Sequence, residues 1–348
     1  MSIDLSLLLD PGHDANRLLV AASLRPIQGT RFQPTGFPDL GAAVFDTADG
    51  THLLVESHQS MANRLESVCW DSTATELVTA LRGLSYVRVD AADGTYLTSS
   101  LVEAHRLNSP YILESADTSF KVRLIEETQE LAKGPVKRSK FAAVVAKYDL
   151  GSLLHGLFLA KSEISGGRLR LERALSAFIE AHHVRVAASG GVKNDVVDAS
   201  GETATGFGNV PFQRDEYTAN EIVAYFNLDL AQIRGYGLGA DGERLLVLLA
   251  LFKIRAFLSG GLRLRTACDL ELIGEPKVTR PDAFALPALD ALRTELPGAI
   301  TACASLFAGT GGVTRVKYVP SGEKPEKAEK RAAKGKAAKG GDSGADVP

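Results

Sequence analysis

The chain has 348 residues, 45% of them apolar, with 39 basic and 42 acidic groups, which is enough apolar material for a sizeable core and excludes a fibrous or wholly disordered protein. A formal net charge of −3 excludes indiscriminate polyanion binding, so any nucleic-acid site must be a local patch. The longest apolar run, Leu245 to Phe252, falls well short of the ~20 residues a membrane helix needs, and no membrane partner is expected.

The N-terminal MSIDLSLLLDPGHD has Asp4 where an export signal carries Lys or Arg, so the expected location is the cytoplasm. A strand is predicted over Leu18 to Leu24, followed by the Gly/Pro-containing loop RPIQGTRFQPTGFPDLG, a strand from His52 to Glu56 and a helix from about Ser60 to Val68. Next come a strand at Tyr86 to Val89, a strand at Phe141 to Tyr148, and helices over Leu150 to Ala160 and Glu172 to His182. Strands at Val184 to Ala188 and Glu221 to Leu228 and a buried helix at Gly242 to Leu258 follow. In a strand at Leu262 to Leu270, period two places Arg263 and Arg265 on one face, which is either solvated or partnered. A helix at Ala288 to Phe307 is expected to break or kink at Pro297, and GTGG at Gly309 to Gly312 is a turn before a last strand, Val313 to Tyr318. This is an α+β or α/β mixture.

Three stretches break the pattern. KGPVKRSK at Lys133 to Lys140 has four basic groups and no carboxylate, and reads as an exposed basic loop. Between Ala188 and Tyr217 the Gly-, Asp- and Thr-rich segment is longer than ordinary connections, as in a projecting hairpin, a functional loop or a disordered insert. Residues 321–348 lack aromatic side chains and read as a disordered Lys/Ala/Gly-rich tail.

Chemical signatures are sparse. Cys69, Cys268 and Cys303 are widely spaced and read as reduced, buried thiols. The histidines show no H-x-x-x-H spacing, so no metal is expected, and GYGLGADG at Gly235 to Gly242 fits neither common nucleotide-cradling glycine motif, so no cofactor is expected. No nucleophile elbow appears. One segment does carry a mechanism: in LLVESHQSMANRLESVCWD, a strand runs into a helix whose first turn holds Ser57, His58, Gln59 and Ser60. Free backbone N–H groups and the positive end of the helix dipole suit a phosphate there, with Asn63 and Arg64 adding donors one turn along; an ordinary capped helix is the competing reading.

RFQPTGFPDLGAAVF at Arg31 to Phe45, the LLVESHQS segment, and TSSLVEAHRLNSPYI at Thr98 to Ile112 together resemble the RAMP-superfamily, Cas-seven-like backbone protein of type I-G (formerly I-U) CRISPR effector complexes. The resemblance runs from about Leu18 to Tyr318. It implies an RRM-like (ferredoxin-like) palm with helical fingers and a projecting β-hairpin thumb: one elaborated domain over residues 1–320, with the thumb inserted at about 190–217. The implied function is non-catalytic: the subunit polymerises along CRISPR RNA and supports target DNA recognition. Its implied partners are the guide, the target DNA strand paired to it, neighbouring copies of itself, and the large and guide-processing subunits.

By the same resemblance, Ser57, Gln59, Ser60 and Arg64 grip the guide backbone, and Val196, Val197, Phe207 and Val210 are thumb wedges beside the backbone contacts Lys193 and Asn194. Further RNA-contact candidates are Arg31, Gln33, Arg106, Asn108, Lys137, Arg138, Arg263 and Arg265, with Lys140 beside them. No RRM aromatic string is present, so recognition is expected to follow the backbone, as suits a subunit that holds any guide sequence. The enzymatic alternatives are an RNA endonuclease using Asp39, in the loop after the first strand, guide processing through His58 or His105, and an unrelated metabolic enzyme.

Overall fold

A computed structural model describes residues 3–320 apart from 11, 13–14, 38–40, 195, 198–199, 201–207 and 261. The expected tail, 321–348, lies outside the described residues.

From Leu18 to Leu24 buried and half-buried residues alternate, and this period-two pattern forms strand β1, Arg17–Pro26. A hairpin of β2, Val44–Thr47, and β3, Gly50–Glu56, leads directly into helix α1, His58–Ser67. Strands β4, Tyr86–Asp90, and β5, Tyr96–Ser99, begin a second sheet.

Phe141 to Tyr148, expected as a strand, lies in helix α2, Arg138–Tyr148. Its buried residues Phe141, Ala142, Val145 and Ala146 recur at helical spacing, and the alanines favour helix. The helix expected over Leu150 to Ala160 is only Gly151–His155; Gly156, at φ +84°, turns the chain into β6, Leu157–Leu159, which pairs with β7, Leu169–Leu171. The helix expected at Glu172 to His182 is instead strand β8, Leu175–His182. There Leu175, Ala177, Ile179 and Ala181 are buried in strict alternation, and tertiary pairing overrides the helix preference of Ala and Glu.

Strands β9, Arg185–Lys193, and β10, Val210–Thr218, pair residue for residue from Arg185 with Thr218 to Lys193 with Val210, a long ribbon exposed over most of its length. Strand β11, Glu221–Asp229, follows, and then helix α3, Gly239–Ser259, in which Leu245 to Ile254 are all buried. A buried apolar stretch interrupted only by Lys253 places α3 at the centre, against α1 and the later helix Leu289–Ala302. The strand expected at Leu262 to Leu270 is two strands, β12, Leu262–Arg265, and β13, Cys268–Leu272, folded as a hairpin. Strand β14 is Lys277–Arg280, helix α4 runs uninterrupted through Pro297 over Leu289–Ala302, and β15 is Val313–Lys317.

The antiparallel main sheet has the order β12-β13-β1-β11-β8-β3-β2, with β14 also paired to β1. The second sheet, β15-β4-β5, joins β15 to β4 in parallel. The fold is a mixed, α+β arrangement, and no helix among the described residues is long and apolar enough to cross a membrane. Cys69, Cys268 and Cys303 are free and buried, as expected.

The GTGG turn before β15 admits no side chain at Gly309: its φ is +79° and a Cβ there would lie 2.1 Å from the Val313 carbonyl oxygen. Gly309→Ala should lower the unfolding free energy by about 2–3 kcal/mol, read from urea denaturation.

Candidate nucleic-acid interface

The start of α1 is built by the β3-to-α1 junction. Ser57 has extended backbone angles and its Oγ accepts from the Ser60 N–H at 3.3 Å, a standard N-cap. This satisfies one of the first-turn amides, while those of His58 and Gln59 precede any intrahelical acceptor. Gln59 donates through Nε2 to Asn63 Oδ1 at 3.2 Å and accepts from Arg173 Nη2.

One turn along, Arg64 is not free. Its Nη2 donates to Glu56 Oε1 at 2.8 Å and to the Leu264 carbonyl at 2.7 Å. Arg265 Nη2 meets the same carboxylate oxygen, and its Nη1 donates to the Gln33 carbonyl at 3.0 Å. Glu56 is 1% exposed, its Oε2 has no hydrogen-bond partner, and Arg64 Nε is likewise unpartnered. Two guanidiniums therefore share one buried carboxylate, leaving a net positive charge on the partly exposed side of Arg64 and Arg265. Gln33, Arg64 and Arg265 are separate candidates in the sequence; the fold joins Arg64 to Arg265 through Glu56, a residue the sequence does not single out, and Arg265 to the Gln33 carbonyl. The local signal is the acid that ends the apolar run LLVE at the close of the expected strand.

Arg106 requires a correction. Its guanidinium is 7% exposed and makes two hydrogen bonds to the Glu66 carboxylate, at 2.7 and 2.6 Å, so it is an internal ion pair and is not available to a polyanion. Its backbone φ of +50° fixes it in a tight turn. Around it lie Lys253, fully buried in α3 with Nζ donating to the Leu65 carbonyl at 3.3 Å, and Asp149, whose carboxyl is raised above its ordinary value chiefly by burial. Glu66 is raised for the same first reason, opposed by Arg106.

The remaining candidates are dispersed. Arg31 is exposed and lies 3.7 Å from Glu216. Asn108 uses its side-chain oxygen to accept from the Ala160 N–H at 3.0 Å. The basic stretch is only partly a loop: Lys137 stands at the N-cap position of α2 without a side-chain capping bond, and Arg138 and Lys140 lie in its first turn, paired with Glu172 and Glu130. Arg263 is exposed on β12, and Lys193 and Asn194 are exposed where β9 ends. Val196 and Val197 are 96% and 98% exposed, Val210 begins β10 half-buried, and Phe207 and Asp39 lie outside the described residues. His58 packs on Phe178, whose ring is 5.1 Å from that of Tyr225, and His182 continues this row toward His52, 4.9 Å away. The half-buried face of the sheet thus carries aromatic rings despite the missing RRM string.

At the flank of the antiparallel main sheet, the capped start of α1 thus lies beside the arginine pair that shares Glu56. Residues 18–186 match the family described as "CRISPR-associated protein GSU0053". Among solved structures it is similar to a chain of a "CRISPR RNA-guided surveillance complex, pre-nicking", at 13% identity and a TM-score of 0.39, covering 87% of this chain and 96% of that one. It is also similar to Csc2 of Thermofilum pendens, at 11% identity and a TM-score of 0.31, covering 91% of this chain and 76% of that one. No curated protein matches the sequence.

Proposed function

We propose that this chain is a guide-binding backbone subunit of a type I-G CRISPR effector complex, a Cas-seven-like protein that polymerises along CRISPR RNA. The carrying observation is the α1 start with the Arg64–Glu56–Arg265 group beside it, next to the sheet from which the β9–β10 ribbon continues. Backbone amides, amide side chains and shared guanidiniums recognise phosphate and ribose without reading bases, as a subunit serving any guide requires. The main sheet acts as the RRM-like palm. The ribbon acts as the thumb, with Lys193 and Asn194 near the guide and Val196 and Val197 against a neighbouring copy or between paired bases; exposure of both valines suits burial on assembly. In this role the chain holds RNA without cutting it, and its partners are the guide, the target strand paired to it, further copies of itself, and the large and guide-processing subunits.

The test is native mass spectrometry of the purified chain on synthetic single-stranded RNAs of increasing length and unrelated sequence, with RNA integrity followed with and without divalent metal. Bound copies should climb in even steps with length while the RNA stays whole. A single copy at every length, or metal-dependent cutting abolished by Asp39→Ala, would replace this reading with the endonuclease one.

A further inference from the structure

A separate cavity of about 360 Å³ opens between the short helix Gly151–His155, the β6–β7 hairpin and the Arg106 turn. Its composition is unusual for a surface crevice. Phe158 is 52% exposed and stands directly across the hairpin from Arg170, which is exposed and forms no ion pair among the described residues. Arg173, also in the wall, donates through Nε to the His155 carbonyl at 3.2 Å and through Nη2 to Gln59, with no carboxylate partner among the described residues. The one acid in the lining, Glu172, is engaged by Arg138 at 3.0 Å. Asn108 spends only its oxygen on the protein backbone.

His155 is the sharpest feature. It is 1% exposed, lines this cavity, and neither ring nitrogen has a hydrogen-bond partner, although a neutral imidazole carries one donor and one acceptor that burial penalises if unmet. Burial, reinforced by Lys253, Arg106 and Arg173, holds its pKa well below the ordinary value, so it stays neutral. The cavity therefore combines an exposed aromatic face, cations without counter-charges, and unmet polar groups that can both donate and accept.

We propose that this cavity seats one nucleotide of a bound single-stranded RNA, its base on Phe158, its phosphate against Arg170 and Arg173, and its polar edge toward Asn108 and His155. An aromatic ring beside an arginine is a sequence-tolerant stacking ledge, and every base has a face to offer it. Arg173 ties the cavity to the α1 start through Gln59, so a strand gripped at one is led to the other. The inference rests on the RNA-binding reading above and adds a discrete nucleotide pocket to it.

The test uses the full chain with single-stranded RNA containing thiouridine, and variants at the two exposed positions, where folding is not at risk. Photocrosslinks should map to residues 155–173. Phe158→Leu should weaken RNA binding about tenfold, with Phe158→Tyr restoring it, and Arg170→Gln should lower the log–log salt slope by about one. If the wild-type chain binds RNA but these variants bind with unchanged affinity and slope and no crosslink falls in that segment, the pocket is overturned while the α1 reading stands. If the wild-type chain binds no RNA, both fall together.

Discussion

Arg106→Ala should lower the unfolding free energy by about 3–5 kcal/mol, because it strands the Glu66 carboxylate in the interior without its two guanidinium bonds. The loss is larger than for any surface pair, since exposed ion pairs such as Arg293–Asp290 contribute about 0–1 kcal/mol. Burial raises the Glu66 and Asp149 carboxyls above 4.5 and 3.8 respectively. The folded state thus holds these protons more tightly than the unfolded chain. Their stabilising contribution is complete below the ordinary carboxylate values and is lost as pH rises through the raised ones. Urea midpoints of the wild type should therefore fall relative to Glu66→Gln as the pH climbs from about 4.5 through that window. A constant gap between the two proteins would show that Glu66 titrates alike in the folded and unfolded chains.

Glu56→Gln should act in opposite directions on folding and on binding. The substitution removes the carboxylate shared by Arg64 and Arg265 and should reduce the unfolding free energy by about 3–5 kcal/mol. It also frees two guanidiniums for phosphate, so RNA affinity at low salt should rise and the log–log salt slope should steepen by about one. Filter binding over a salt series beside urea denaturation separates the two effects. An unchanged slope would mean that neither arginine reaches the RNA backbone.

The legible parts of the fold were those where one period dominates. Alternating burial in β1, the β-branched and aromatic run of β11, the cap and amphipathic run of α1, and the apolar run Leu245 to Phe252 of α3 each point to one structure from local residues alone. The elements misread are those decided elsewhere in the chain. ALSAFIEAH has helix-forming residues but lies between β11 and β3, whose edges it must pair, and its alternation was the better guide. The same limit applies to the interface. The capping turn at Ser57 is local and readable, whereas the pairing of Arg64 with Arg265 spans two hundred residues and depends on β12 lying against α1. Arg106 looked like a surface donor because its partner, Glu66, stands forty residues away. Lys253 is a readable local clue: a cation that ends the apolar run LLVLLALF on a buried helix marks a buried polar cluster.

The parallel pairing of β15 with β4 bears on how the chain is made. Residues 86–90 leave the ribosome long before 313–317, and β1 likewise waits for Glu221–Asp229 on one edge and for β13 and β14 on the other. Neither sheet can close on the first third of a nascent chain, so its apolar edges remain open until residues 221–280 and 313–317 have been made. Such a protein gains from slow aggregation or early shielding of those edges, and a chain cut short of residue 313 would leave the β4 edge permanently exposed.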